Sequence, residues 1–249
     1  MWTWSATFGG RFEGAAVDRR RSGTIGAMSD VAPDGSPVAI YLALPPGPVP
    51  ALVHDAVVDG GSVLDLGSGP GRMAHALVAL GHPVVAVDDS PEMLAHIEGA
   101  ETVQADVYSL ALGRRFDGVL AASHLINDPE ADRRAALLGV CRGHVADDGV
   151  VLVQRYEPGW AMAAESGVGS VGPVEIDVEV HAQRGPDFDA TVTYTLDDRS
   201  WSQTFTATAV DDDLLATEAA AAGLRLDRWL DDRRTWALLR PDPSPHARQ

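Results

Sequence analysis

The chain has 249 residues, 45% of them hydrophobic, which suffices for the core of one α/β domain or of a domain with a small insertion. Its 36 Asp and Glu outweigh 19 Lys and Arg, and the net charge of −17 argues against nucleic acid as a substrate, since such binding draws on clustered cations. No apolar run approaches the ~18 residues of a membrane span, and the single cysteine, Cys141, excludes a disulfide framework or a cysteine-built zinc site.

The N-terminus has no apolar segment between its charges, so it does not read as a secretory signal, and a cytoplasmic location is expected. Residues 1–35, rich in Gly, Ser and Arg, read as a mobile leader before a domain over 36–240. "PVAIYLALPPGPVPALVHDAVV" predicts a short helix, a proline-rich turn and a second helix around 48–58. "GGSVLDLG" reads as a buried strand, and the glycine loop after it leads into helical spacing in "RMAHALVALGH". "PVVAVDDS" is a second strand, and "SPEMLAHIEGA" opens a helix with Ser90 as cap and Pro91 at its first position. "ETVQAD" and "RFDGVLAASHL" follow as strands, "DPEADRRAALLGVCRGHV" as a helix and "DDGVVLVQRY" as a fifth strand. Apolar strands alternating with helices imply a parallel sheet covered on both faces.

The pattern then changes to strict alternation. Residues 174–209 predict a three-stranded antiparallel insertion with one wet face. "DDDLLATEAAAAGL" predicts a helix whose acidic start, Asp211 to Asp213, suits a helix N-terminus better than a metal site. "LRLDRWLDDRRTWALLRP" predicts a hairpin through Asp231 and Asp232, and residues 241–249 a disordered tail.

The loop Gly67-Ser68-Gly69-Pro70-Gly71-Arg72 must bring backbone close to a ligand at the sheet's carboxyl edge. A dinucleotide fingerprint needs glycine where Arg72 stands, and a Walker loop needs a Lys that is absent. Both phosphate readings fit poorly.

"VLDLGSGPG", with Asp65 two places before the first glycine, resembles the first motif of class I S-adenosylmethionine-dependent methyltransferases. The resemblance implies that Asp65, Gly67, Gly69 and Gly71 belong to a loop packed against the cofactor's methionine and adenosine parts. "VVAVDDSPEML" resembles the second motif and puts Asp88 on the ribose hydroxyls, with Asp89 and Met93 beside it. A carboxylate's two oxygens match two adjacent hydroxyls. "QADVYSL" resembles the third, with Asp106 at the adenine amine and Val107 offering its amide. "FDGVLAASHLIND" resembles the fourth, with Ala122 and Ser123 near the sulfonium.

The resemblance runs from about Pro37 to Arg240 and implies an α/β fold: a Rossmann-like mixed seven-stranded sheet, helices on both faces, plus the antiparallel insertion over the acceptor pocket. It implies S-adenosyl-L-methionine as cofactor, no metal, and a small-molecule acceptor methylated by in-line displacement at an amine or hydroxyl. The run "ASHLIND" replaces the proline-rich motif of many base methylators, and the insertion is similar to that of glycine and aminosugar N-methyltransferases. A monomer or homodimer is expected. His124, Tyr41 and Arg155 are the candidates for orienting or deprotonating the acceptor, with Tyr156 on the same rim; His181 and Tyr194 are candidates on the meander. The rival readings are an NAD(P)-dependent oxidoreductase and a non-catalytic module that binds the same cofactor.

Overall fold

Short, continuous apolar runs become strands in the computed structural model, which describes residues 31–32 and 35–242. The first half of the chain gives α1 (Val38–Ala43), α2 (Val49–Ala56), β1 (Val63–Leu66), α3 (Arg72–Ala79), β2 (Val84–Asp88), α4 (Pro91–Leu94), β3 (Glu101–Gln104), β4 (Phe116–Ala121), α5 (Ala131–His144) and β5 (Val145–Gln154). The second half gives α6 (Pro158–Ala163), β6 (Gly167–Val171), β7 (Val174–Arg184), β8 (Asp187–Leu196), β9 (Arg199–Thr208), α7 (Asp212–Ala221), β10 (Leu224–Trp229) and β11 (Trp236–Pro241).

Seven strands form one sheet in the order β10-β11-β5-β4-β1-β2-β3. The first five strands of the chain pair in parallel, whereas β11 runs antiparallel to both β5 and β10, supplying the expected reversed strand. All four residues of β1 are buried, as a central strand covered on both faces requires. Alternation divides the core: Val63, Leu120, Val150 and Leu152 pack with α2 and α3 on one face. Leu64, Val119, Val151 and Val153 pack with α5 and α7 on the other.

Capping sets the helix starts. Ser90 Oγ accepts from the Met93 amide at 3.2 Å, and Pro91 takes the first position of α4. Asp211 accepts from the Leu214 amide at 2.8 Å, so the acidic run opens α7 as expected. Helix α4 is a single turn, shorter than its sequence suggests.

The insertion has four antiparallel strands, β6-β7-β8-β9, rather than three, and begins at Gly167. The glycines of "GVGSV" hide the alternation that marks the other strands, although Gly167 to Val171 pairs residue by residue with β7. Its inner face, including Ile176, Phe188, Val192 and Trp201, packs with Ile40 of α1, Ala161 of α6 and Tyr156. Helix α6 also escapes the sequence reading. Pro241, placed in the tail, ends β11 opposite Leu224, and the Asp242 amide donates to Gly223. Val31 bridges Pro37. The remainder of the leader and tail readings lies outside the described residues. Among these residues no helix is long and apolar enough to cross a membrane.

Candidate active site

The sheet reverses its strand order between β1 and β4, which opens a crevice at their carboxyl ends. A cavity of about 390 Å³ fills it, within the range of small-ligand sites. Its lining brings together Tyr41, Asp65, Gly67, Gly69, Asp88, Asp89, Met93, Asp106, Val107, Ala122, Ser123 and His124. Gly71, Arg155, Tyr156, His181 and Tyr194, also singled out in the sequence, are not in it.

The acid ending β2 builds the glycine loop. Asp88 Oδ2 accepts from the Gly69 amide at 2.8 Å and Oδ1 from the Ser90 amide at 3.0 Å. These bonds take two of the roughly four acceptor positions of a carboxylate. Gly69 lies at φ +55, where a side chain is disfavoured. Gly71 serves packing instead of a ligand. At φ +88 it starts α3, and a Cβ there would stand 2.8 Å from Ile97 Cγ1.

At the loop's foot, Asp65 is 1% exposed and its Oδ2 meets no hydrogen-bond partner among the described residues. Burial raises its pKa to about 7, offset in part by Arg72 and reinforced by Asp88. Arg72 lines the same cavity, donates to the Pro45 carbonyl at 3.2 Å, and has its own pKa lowered, chiefly by burial. Ser68 Oγ, also buried in the lining, lacks a hydrogen-bond partner among the described residues. Orphaned polar atoms on residues that line a cavity, a carboxylate among them and a guanidinium beside it, suit a polar ligand bearing both charges.

Across the pocket, Asp106 accepts from the Tyr108 amide at 2.9 Å, closing a turn that presents Val107. Tyr108 donates to Asp128 at 3.1 Å, and the Arg133 guanidinium, 3.8 Å from the Tyr108 ring centroid, donates to Asp128 at 2.7 Å. Tyr41 accepts from the Ser36 hydroxyl at 3.3 Å.

Beyond β4 the backbone takes a costly path. Ser123 and His124 lie at φ +56 and +61, two successive non-glycine residues in the left-handed region, at about 1–2 kcal/mol each. His124 is 1% exposed and stacks on Tyr156, with centroids 4.1 Å apart and planes 15° from parallel. Neither ring nitrogen has a hydrogen-bond partner among the described residues. Burial drives its pKa well below the ordinary value, and the nearby Arg155 backbone does not offset this, so the ring is neutral.

Arg155 requires a correction. Strand alternation turns it toward the α7 side, where it donates to the Arg234 and Val210 carbonyls at 2.9 and 2.8 Å. It also pairs with Asp212, and its guanidinium sits 4.2 Å from the Trp229 ring centroid. It holds the hairpin and α7 to the sheet, away from the cavity. His181 bonds Thr191 on the insertion and Tyr194 is buried in the insertion's core; neither lines the pocket.

Two residues without a role in the sequence reading hold this end of the site. Asn127 donates to the Thr208 carbonyl at 2.7 Å and accepts from the Tyr156 amide at 3.0 Å, tying the loop after β4 to the insertion. Gln154 accepts from the Ser123 amide at 2.8 Å. Their signal was present as a polar residue in each of the apolar runs "HLIN" and "VVLVQ".

Residues 63–149 match the family model described as "Methyltransferase domain". No curated protein matches the sequence significantly. Among solved structures, the sugar N-methyltransferase KedS8 from a Streptoalloteichus species is 18% identical with a TM-score of 0.63, over 94% of this chain and 100% of that one. CalS10, an amino pentose methyltransferase from Micromonospora echinaspora solved with S-adenosylmethionine bound, is 18% identical at a TM-score of 0.61, over 77% and 87%. An S-adenosylmethionine-dependent methyltransferase from Clostridium acetobutylicum is 14% identical at a TM-score of 0.65, over 78% and 89%. At these identities the likeness is one of fold. Residues 63–149 are thus similar to a methyltransferase domain, in a chain that shares the fold of S-adenosylmethionine-dependent methyltransferases.

Proposed function

We propose that the chain is an S-adenosylmethionine-dependent methyltransferase acting on an amine or hydroxyl of a small metabolite. The observation that carries this reading is the Asp65–Arg72 end of the pocket, whose glycine loop is held by Asp88 through the Gly69 amide. A buried carboxylate with an unpartnered oxygen fits an α-ammonium, and a neighbouring guanidinium fits an α-carboxylate. Asp88, already oriented by two amides, fits the ribose diol. A pyrophosphate would place two negative charges beside Asp65, which disfavours the nicotinamide alternative.

When bound there, the cofactor supplies an electrophilic methyl group on a sulfonium, open to in-line attack. The protein's part is chiefly orientation. Ser123 and Ala122 border the acceptor space, and His124 belongs to the same lining, its pKa lowered by burial. A neutral ring accepts a hydrogen bond from an amine or hydroxyl, and takes the proton that the acceptor sheds as it is methylated. Tyr41 and the four-stranded insertion cover the site, within a catalytic unit over residues 36–240.

Thermal shift with S-adenosylhomocysteine, S-adenosylmethionine and NADH tests the cofactor. At about 100 times Kd a true ligand adds roughly 2.7 kcal/mol, a rise of about 5–10 °C for a chain of this size. A response to NADH alone refutes the proposal. Radiolabelled methyl transfer to a panel of glycine, glucosamine and catechol then tests the chemistry. His124→Ala should lower turnover roughly 100-fold, and an unchanged rate would remove His124 from the mechanism.

A further inference from the structure

A glutamine at the end of β5 needs an explanation. The strand reads Val150-Val151-Leu152-Val153-Gln154, and Gln154 is 1% exposed. Its Nε2 has no hydrogen-bond partner among the described residues, so the amide end is a cost that an apolar side chain would avoid. What the side chain does provide is one bond: Oε1 accepts from the Ser123 amide at 2.8 Å. That amide begins the left-handed pair Ser123–His124, whose conformation persists only where its surroundings impose it.

The other restraints act on either side of the same turn. The His124 carbonyl accepts from the Asn127 amide at 2.8 Å. Asn127 in turn fixes the Tyr156 amide, and the Tyr156 ring stacks on His124. The Leu125 amide closes the turn by donating to the Ala122 carbonyl at 3.4 Å, and Gln154 adds the side-chain restraint where the turn leaves β4.

We propose that Gln154 is a positioning residue: its side-chain carbonyl holds the left-handed Ser123–His124 turn and so aims the His124 imidazole into the acceptor pocket. This rests on the methyltransferase reading for its purpose, but the placement itself can be measured apart from it. Gln154→Glu keeps the acceptor oxygen; Gln154→Leu keeps the volume and removes it.

The test is NMR on the full chain bound to S-adenosylhomocysteine, with the Ser123 amide exchange rate and the His124 ring titration as readouts. In the parent protein and in Q154E the Ser123 amide is protected, and in the parent the His124 ring stays neutral well below its ordinary pKa. In Q154L, exchange at Ser123 rises at least tenfold and His124 titrates closer to the ordinary value, while the Kd for S-adenosylhomocysteine stays within about threefold. Unchanged Ser123 and His124 signals in Q154L overturn the proposal, as does an equal loss of Ser123 protection in Q154E. Loss of S-adenosylhomocysteine binding in Q154L also overturns it, since the residue would then support the whole pocket. Methyl transfer separates the two readings. If Q154L displaces His124 while transfer to the best panel acceptor continues at the parent rate, the placement stands and the catalytic role of His124 falls.

Discussion

Asp65→Asn should stabilise the empty protein and weaken cofactor binding at once. Burial lifts the Asp65 carboxyl from 3.8 to about 7, with Arg72 opposing and Asp88 adding to the shift. The raised value fixes the sign. Below about pH 4 folded and unfolded chains both hold the proton, and the group costs nothing. The cost grows as pH rises toward 7 and is complete above it. A rise of about 3 units at 1.36 kcal/mol each gives about 4 kcal/mol at pH 8. Asn preserves the shape but buries an amide without a partner, which returns about 1–3 kcal/mol of that gain. The net is about 1–3 kcal/mol, a Tm rise of roughly 3–10 °C at pH 8, fading to nothing or reversing near pH 4.

Binding should move the other way. Pairing with an ammonium requires the carboxylate, so the affinity of the parent protein for S-adenosylhomocysteine should fall about tenfold per pH unit below about 7. D65N should bind at least ~30-fold more weakly at pH 8, and its dependence on pH over this range should be flat. Scanning calorimetry from pH 4 to 8, with titration calorimetry across the same range, measures both. A D65N protein that is less stable at pH 8, or that binds with the parent affinity, would refute the assignment of Asp65 as a strained, ligand-relieved carboxylate.

Gly71→Ala should cost about 2–4 kcal/mol by chemical denaturation, from the left-handed backbone and the contact with Ile97; a loss below about 0.5 kcal/mol would show that α3 can shift freely. Arg155→Ala should cost about 2–3 kcal/mol through its lost carbonyl bonds and Asp212 pair. Its turnover per folded molecule should stay within threefold of the parent, and a 100-fold loss at unchanged stability would return Arg155 to the chemistry.

Much was legible in the sequence because local rules and tertiary demands agree. The apolar runs at Val63, Val84 and Val150 have no polar face, so only a strand covered on both sides can bury them. Ser90 and Asp211 mark helix starts by the chemistry of their own side chains. The glycine loop and Asp88 come to the pocket because a loop leaving β1 and the end of the neighbouring strand are adjacent in any such sheet. The sequence by itself therefore determined the sheet, the crevice and the glycine-loop and strand-end residues that line it. Burial direction and long-range partners belong to the tertiary structure. Gly167 to Val171 becomes a strand only because β7 offers it an edge. Arg155 and Gln154 are neighbours in the chain, yet the pleat sends the first toward Asp212 and leaves the second against Ser123. That alternation is fixed by which face of the sheet meets α7, a fact about elements more than 50 residues apart, and no local pattern records it.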